Sequence, residues 1–274
     1  MGKTWRLILD QKNDGYYNMA ADEAILLHYA VSKTPTLRVY GWKEPIISLG
    51  YNQKAQEVLN PQGEIPFVRR ITGGSAILHH KELTYSLICS REDLKLPQGV
   101  KKSYKIICSF LKYFYSQLGL EANFAIDLLL QEQGDFNSLG QYKNSCFSAW
   151  QHFDLLVGGR KIGGNAQRRK KNIIFQQGSI PQEIDFSGLS RAIKDSSSQP
   201  SRATSLIEAL GKPLSFNFLR SLLALSFKRT FGIEFKQEGF LPLETIKATY
   251  LLEEKYKLDN WNIDKIVENV RISA

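Results

Sequence analysis

The chain of 274 residues has few of the side chains that carry cofactor or redox chemistry: three cysteines, four histidines and two methionines. Cys89, Cys108 and Cys146 are odd in number and form no Cys-x-x-Cys pair, which argues for reduced thiols rather than a disulfide framework. His28, His79, His80 and His152 are not spaced as ligands and no His-Glu-x-x-His occurs, so no metal is expected. No apolar run approaches the roughly 18 residues of a membrane span, and the start runs directly into strand-like residues 5–9 rather than a signal peptide, so a cytoplasmic protein that does not enter the membrane is expected. A Gly-x-x-x-x-Gly-Lys-Ser/Thr phosphate loop is missing. So are helix-turn-helix, RNP and zinc-finger patterns, which speaks against nucleic acid as partner.

What is present is a globular composition, 43% hydrophobic and 23% charged, with 36 basic against 27 acidic residues. The resulting net charge of +9 favours an anionic partner without choosing one. Its densest part is Arg168-Arg169-Lys170-Lys171, which reads either as a solvated loop or as a docking patch.

Residues 5–10 read as a strand, followed by a helix with Asn18 as N-cap and Asp22 and Glu23 in its first turns. Strands are expected at 36–40 and 46–49 around a turn tipped by Trp42, which is either a packing residue or a lid. Ile106, Ile107, Phe110, Leu111, Phe114 and Leu118 have helical spacing and stop at Gly119. Strands follow at 153–157, from Lys161, and at 173–179, the first two joined through Gly158-Gly159. The serine-rich stretch 196–201 is the best linker candidate. Beyond it come helices at 205–210, 216–231 and 242–256, the first two closed by Gly211 and Gly232. We therefore expect an α/β (α+β) fold with a mixed, mostly antiparallel central sheet in residues 1–195, and a small α-rich extension, 196–274, packed on it. A monomer is expected.

Two stretches stand out. Residues 69–86, Arg-Arg-Ile-Thr-Gly-Gly-Ser-Ala-Ile-Leu-His-His-Lys-Glu-Leu-Thr-Tyr-Ser, read as a corner between strands whose glycines, Gly73 and Gly74, either make an ordinary hairpin turn or let a ligand approach the backbone. Cys89 and Cys108 fall in apolar patterns and read as small buried hydrophobes. Cys146 lies in a polar stretch that no core periodicity claims, where an activated thiol is an open alternative to an incidental one.

The ordered set of motifs resembles the biotin/lipoate protein ligase superfamily, and within it the cysteine-dependent octanoyltransferases of lipoate assembly. It comprises Asp14-Gly15 with Met19-Ala-Ala-Asp-Glu-Ala, Leu37-Arg-Val-Tyr-Gly-Trp, the Arg69 to His79 stretch and Glu82-Leu-Thr-Tyr-Ser. Further on come Cys146-Phe147, Gly159-Arg-Lys-Ile-Gly-Gly-Asn-Ala-Gln167 and Gln177-Gly-Ser179. The resemblance implies a ligase-like catalytic domain in which Arg70, Thr72, Gly73, Gly74 and Lys161 wall an acyl pocket. It extends the substrate-binding set to His79, Gly163, Gly164 and Ala166. It further implies that Cys146 takes octanoate from octanoyl-acyl carrier protein and passes it to the lysine of an apo lipoyl domain, such as glycine cleavage H protein. The sequence departs from the family pattern at Ser75, His80 and Trp150.

A thioester is already activated, so this transfer needs a nucleophile and an oxyanion site but neither ATP nor another cofactor. A free thiol is only a few per cent thiolate at neutral pH, and Lys161 is the candidate cation beside Cys146, with a neutral Lys161 as base for the acceptor amine as the other role. His79 is an alternative base or a residue that orders the corner. Backbone amides near Gly73-Gly74 or after Gly163-Gly164 are candidate oxyanion donors. Ile71, Ile77, Leu78 and Tyr40 are expected to line an apolar tunnel, and Arg168, Arg169, Lys170 and Lys171 to dock the acidic carrier. Two alternatives remain: a lipoate ligase needing ATP and Mg, and an amidotransferase between lipoyl proteins using the same cysteine.

Overall fold

The computed structural model describes residues 4–131, 145–148, 150–194 and 202–266. The linker candidate 196–201 and most of the polar segment before Cys146 lie outside them. The strands are β1 (Trp5–Asn13), β2 (Thr36–Trp42), β3 (Ile46–Leu49), β4 (Phe67–Arg69), β5 (Ile77–His79), β6 (Glu82–Ser90), β7 (Ala122–Phe124), β8 (Leu155–Val157), β9 (Arg160–Lys161), β10 (Gly164–Lys170), β11 (Ile173–Pro181) and β12 (Phe235–Gln237). The helices are α1 (Gly15–Ser32), α2 (Ala55–Val58), α3 (Val100–Gln117), α4 (Ala125–Gln131), α5 (Phe186–Ala192), α6 (Leu206–Leu210), α7 (Phe216–Phe231), α8 (Pro242–Leu251) and α9 (Asp259–Asn262).

A six-stranded sheet in the order β10-β11-β6-β2-β1-β12 forms the centre. β1 runs parallel to β2 and β12, and the other neighbours are antiparallel, as expected of a mixed sheet. Side chains alternate across a strand. The odd-numbered side of β2 and β6, with Leu37, Val39, Leu83, Tyr85 and Leu87, packs against Phe110 and Phe114 of α3 and Leu223 and Phe227 of α7. The even-numbered side faces α1 and α8 and carries polar groups, Arg38, Tyr40, Thr84 and Ser86, in fully buried positions. Buried polar groups must find partners. α1 supplies one in Asp22: its Oδ1 accepts from Arg38 Nη1 and Ser86 Oγ, both at 2.7 Å, and its Oδ2 from Tyr40 at 2.9 Å and Gln177 Nε2 at 2.8 Å. Gln177 in turn accepts from Thr72 at 2.9 Å, tying the corner to the same carboxylate. Burial pulls the Arg38 pKa down, but Asp22 and Asp10 outweigh it and the guanidinium stays charged.

This network corrects the expected start of α1. The N-cap is Asp14, whose side chain accepts from Tyr16 N and Tyr17 N. Asn18 lies a turn inside, buried, donating to Gly41 O at 3.0 Å and accepting from Arg38 Nη2 at 2.7 Å. Asp22 and Glu23 are consequently mid-helix, and Glu23 holds Lys255 at 2.7 Å and Tyr256 at 2.6 Å.

The corner at 69–86 is not a hairpin. β4 pairs in parallel with β3, β5 lies inside the corner and pairs antiparallel with β3, and β6 belongs to the central sheet. Arg69 and Arg70 hold this crossing by backbone carbonyls: Arg69 donates to those of Gly50, Tyr51, Gln53, Trp261, Asn262 and Ile263, and Arg70 to those of Ser48, Gly73 and Ser75. Only Gly74 of the glycine pair has positive φ, 89°. A Cβ on Gly50 would lie 1.8 Å from Gly74 O, so the close approach here is of backbone to backbone.

The chain after residue 202 is helix-rich and also extends the sheet, through β12 on β1, while α7 joins α3 in the main core. No helix among the described residues is long and apolar enough to cross a membrane. Asp22→Ala leaves the Arg38 guanidinium short of its main buried counter-charge, and urea unfolding is expected to show a loss of about 3–5 kcal/mol. A loss below about 1 kcal/mol would contradict the weight given to this network.

Candidate active site

Cys146 opens a short 3-10 turn, Cys146–Ser148, fixed by its backbone N–H donating to Ala76 O at 2.9 Å beside β5. Lys161 ends β9 and is 2% exposed. Its Nζ sits 2.6 Å from Asp154 Oδ2 and donates to the carbonyl oxygen of Cys146 at 3.0 Å. Burial pulls the Lys161 pKa down, but Asp154 and Cys146 together push it above the ordinary lysine value. Lys161 is thus held as an ammonium at neutral pH, which disfavours its alternative role as a neutral base. A second cation stands close by. Burial lowers Arg70 to about 10, the charge of Cys146 partly opposing this, and the guanidinium remains protonated at pH 7. Ser145 Oγ, one residue before the cysteine, is buried without a hydrogen-bond partner among the described residues.

The glycines of Gly163-Gly164 have separate reasons. A Cβ on Gly163 would meet Ser179 O at 2.5 Å, and one on Gly164 would meet Cys146 Sγ at 2.7 Å. The second contact places the thiol against the first residue of β10, the edge strand of the sheet.

Two cavities meet at Cys146. The first is largely apolar, with about 480 Å³ of atom-free space counting the solvent at its open mouth, and has Met19, Tyr40, Trp42 and Ile77 among its walls. The second is a wider cleft, more polar than the first, with about 1170 Å³ of atom-free space counting solvent, and it is lined by Tyr104, Gln151, Asp154, Lys161 and Arg169 among others. Gly74, Ser75, Cys146, Asn165 and Ala166 line both.

His79 is on the wall of the apolar cavity with both ring nitrogens engaged: Nδ1 lies 2.7 Å from Glu82 Oε1 and Nε2 2.7 Å from Ser48 Oγ. Trp42 stacks on its ring at 3.9 Å between centroids. Trp42 is 2% exposed and lines the cavity, so it packs and walls at once. Burial pushes the Glu82 carboxyl up, but His79 and the hydroxyls of Thr84 and Ser179 more than offset it and keep a carboxylate.

The remaining residues divide. Arg70, Gly74, Gly164 and Ala166 line the apolar cavity, and Gly73 lines only the polar cleft. Thr72 is buried against Gln177, and Gly163 packs on the Ser179 carbonyl; neither lines the two cavities at Cys146. Tyr40 and Ile77 wall the apolar cavity as expected of them, whereas Ile71 faces a different groove and Leu78 packs against α2 and α5. The basic run is spread over separate places. Arg169 points into the cleft, Arg168 and Lys170 into the groove under α1, and Lys171 occupies the β10–β11 turn with φ 54°. Asp154, Asn165 and Tyr104 were not singled out as functional from the sequence.

Residues 14–228 match the lipoyl protein ligase A/B catalytic domain. The chain belongs to that family. Within it, this lipoyl-ligase-family chain groups with octanoyltransferases. It is 34% identical to octanoyltransferase LipM of Halalkalibacterium halodurans, over 96% of the chain and 100% of the relative. To octanoyltransferase LipM of Symbiobacterium thermophilum it is 36% identical, over 97% and 100%. The fold is shared with lipoate-protein ligase A bound with ATP, TM-score 0.78 at 23% identity, covering 96% of this chain and 100% of that one. It is shared equally with the bipartite lipoate protein ligase of Thermoplasma acidophilum, TM-score 0.77 at 21% identity, covering 98% and 99%.

The three thiols differ in environment. Burial pushes Cys108 up to about 12 and Cys89 further, so both stay protonated at pH 8, while Cys146 is half-buried on two cavities. Iodoacetamide on the native protein at pH 8 is expected to add one carbamidomethyl group, on Cys146, with three added after denaturation. Adducts on Cys89 or Cys108 in the native protein would contradict the burial described.

Proposed function

We propose that the chain moves an octanoyl group from octanoyl-acyl carrier protein, through a thioester on Cys146, to the lysine of an apo lipoyl domain such as glycine cleavage H protein. The observation that carries this reading is the position of Cys146 at the junction of an apolar cavity and a polar cleft, with the Lys161 ammonium bonded to its own carbonyl. The acyl tail enters the apolar cavity beside Met19, Tyr40 and Ile77, and the carrier's thiol-bearing arm and later the acceptor lysine come through the cleft. Family membership and the octanoyltransferase relatives support the same substrate class.

In the first half, the Cys146 thiolate attacks the thioester carbonyl, a C–S bond forms and the carbonyl electron pair moves to oxygen. Collapse expels the carrier thiolate, which is protonated from solvent. In the second half, the neutral acceptor lysine attacks the acyl-Cys146 carbonyl, a C–N bond forms, the amine loses its proton to solvent and Cys146 leaves as thiolate. Lys161 and Arg70 stabilise negative charge at the thiol and at the developing oxyanion, where fixed cations in a partly dry site act most strongly. Carrier docking falls to the exposed end of the basic run and to Arg169 in the cleft.

The test is an assay on apo lipoyl domain with octanoyl-carrier protein or free octanoate, each with and without ATP, for wild type and Cys146→Ala. Transfer from the carrier protein without ATP, lost by at least a thousandfold in Cys146→Ala, is expected. Transfer from free octanoate only with ATP would replace the reading with a ligase. Transfer only from an octanoylated lipoyl protein would make the enzyme an amidotransferase.

A further inference from the structure

On the α3 side of the sheet, a line of hydrogen bonds runs through β10, β11 and β6 to Asn165, beside the residue that touches the Cys146 sulfur. It begins at Arg169, whose guanidinium can only donate. Arg169 Nε donates to Gln167 Oε1 at 2.5 Å, and Gln167 Nε2 donates to Gln176 Oε1 at 2.8 Å. Gln176 Nε2 then donates to the Tyr85 hydroxyl at 2.7 Å, and the buried hydroxyl, which needs an acceptor of its own, donates to Asn165 Oδ1 at 2.7 Å. Each donor fixes the amide orientation of the next residue, so Asn165 Oδ1 is spent as acceptor. Its Nδ2 is left with two N–H groups and no partner among the described residues.

The backbone geometry is arranged for this. Asn165, Gly178 and Tyr85 are cross-strand neighbours on β10, β11 and β6. The middle position has no side chain: a Cβ there would lie 2.1 Å from Tyr85 Cε1 and 2.3 Å from Asn165 Oδ1. Gly178 is therefore the gap through which Tyr85 reaches Asn165. The Asn165 carbonyl is fixed as well, accepting from the Tyr104 hydroxyl at 2.9 Å. Asn165 directly follows Gly164, the residue against the Cys146 sulfur, and is half-buried on the wall of both cavities that meet at the thiol.

We propose that Asn165 Nδ2 is an oxyanion donor for acyl transfer at Cys146, and that Tyr85 is a positioning residue that holds the amide with its NH₂ toward the thiol. The inference rests on the acyl-Cys146 reading above. In each half-reaction, the carbonyl oxygen that gains the π electron pair accepts a hydrogen bond from Nδ2 and returns the pair as the leaving thiolate departs. Asn165 exchanges no proton. Because the donor is oriented before the substrate arrives, little reorganisation is needed when charge develops.

The test compares two reactions of the same thiol. Octanoylation of Cys146 by octanoyl-carrier protein passes through an oxyanion, and alkylation by iodoacetamide, a direct displacement at carbon, does not. Single-turnover rates of both are measured by intact mass for wild type, Asn165→Ala and Tyr85→Phe. Asn165→Ala is expected to slow octanoylation about 100- to 1000-fold with alkylation within threefold of wild type. Tyr85→Phe, which keeps the ring and removes the orienting bond, is expected to give a smaller loss, in kcat rather than KM. Octanoylation of Asn165→Ala within threefold of wild type would overturn the proposal. Equal losses in both reactions would also overturn it, since Asn165 would then position the thiol and not the oxyanion. A wild type that alkylates on Cys146 but is never octanoylated would instead refute the acyl-Cys146 reading, and with it the inference.

Discussion

A buried ammonium must be paired, and that constraint places the reactive part of this molecule. Lys161 is almost wholly removed from water, and leaving such a charge without partners costs several kcal/mol. Asp154 and the carbonyl of Cys146 supply those partners, one just before β8 and the other in a short turn beside β5. The ion pair thus fastens a turn with little regular structure of its own to the β8–β9 hairpin. The demand of Lys161 for an acceptor and the position of the thiol have one solution. Because the ammonium is bonded to the carbonyl and not to sulfur, Sγ stays available to both cavities.

The central sheet divides the labour between its faces. On the α1 side, buried polar groups converge on Asp22 and, through Gln177 and Thr72, reach the crossing at residues 69–86. His79, stacked on Trp42 and bonded at both nitrogens, forms part of the rigid wall on that side. On the α3 side, the polar line from Arg169 to Asn165 crosses otherwise apolar surroundings. The α3-side line ends at Asn165, next to Gly164, where the absence of a side chain makes room for the thiol.

Much of this was legible in the sequence where one residue type admits one conformation. Gly211 and Gly232 close their helices with positive φ, and the apolar spacing of α3 locates its buried face at Ile107, Phe110, Leu111 and Phe114, with Ile106 exposed beside it. Cys146 stood apart because no periodicity claimed it, and the family motifs joined it to Lys161. The rest depended on contacts distant in sequence. Asp14 took the cap expected of Asn18 because Arg38, twenty residues on, claims the Asn18 side chain. Asp154 carries no local mark, since its role exists only once β8 and β9 have paired. The division of the basic run was readable: Arg168 and Lys170 alternate with Arg169 on a strand, and a period of two sends them to opposite faces. The orientation of the Asn165 amide is set by four bonds on three strands and lies beyond any local pattern.

The central claim is that one thiol receives the acyl group and gives it up again. The most direct measurement is a pulse and chase followed by intact mass spectrometry: stoichiometric octanoyl-carrier protein first, without ATP, then excess apo lipoyl domain. The account predicts one octanoyl group on the protein, mapped to Cys146 and labile to hydroxylamine as a thioester, that moves to the lipoyl-domain lysine at a rate no slower than turnover. Octanoylated lipoyl domain formed at the full rate with no acyl group ever passing through Cys146 would contradict it.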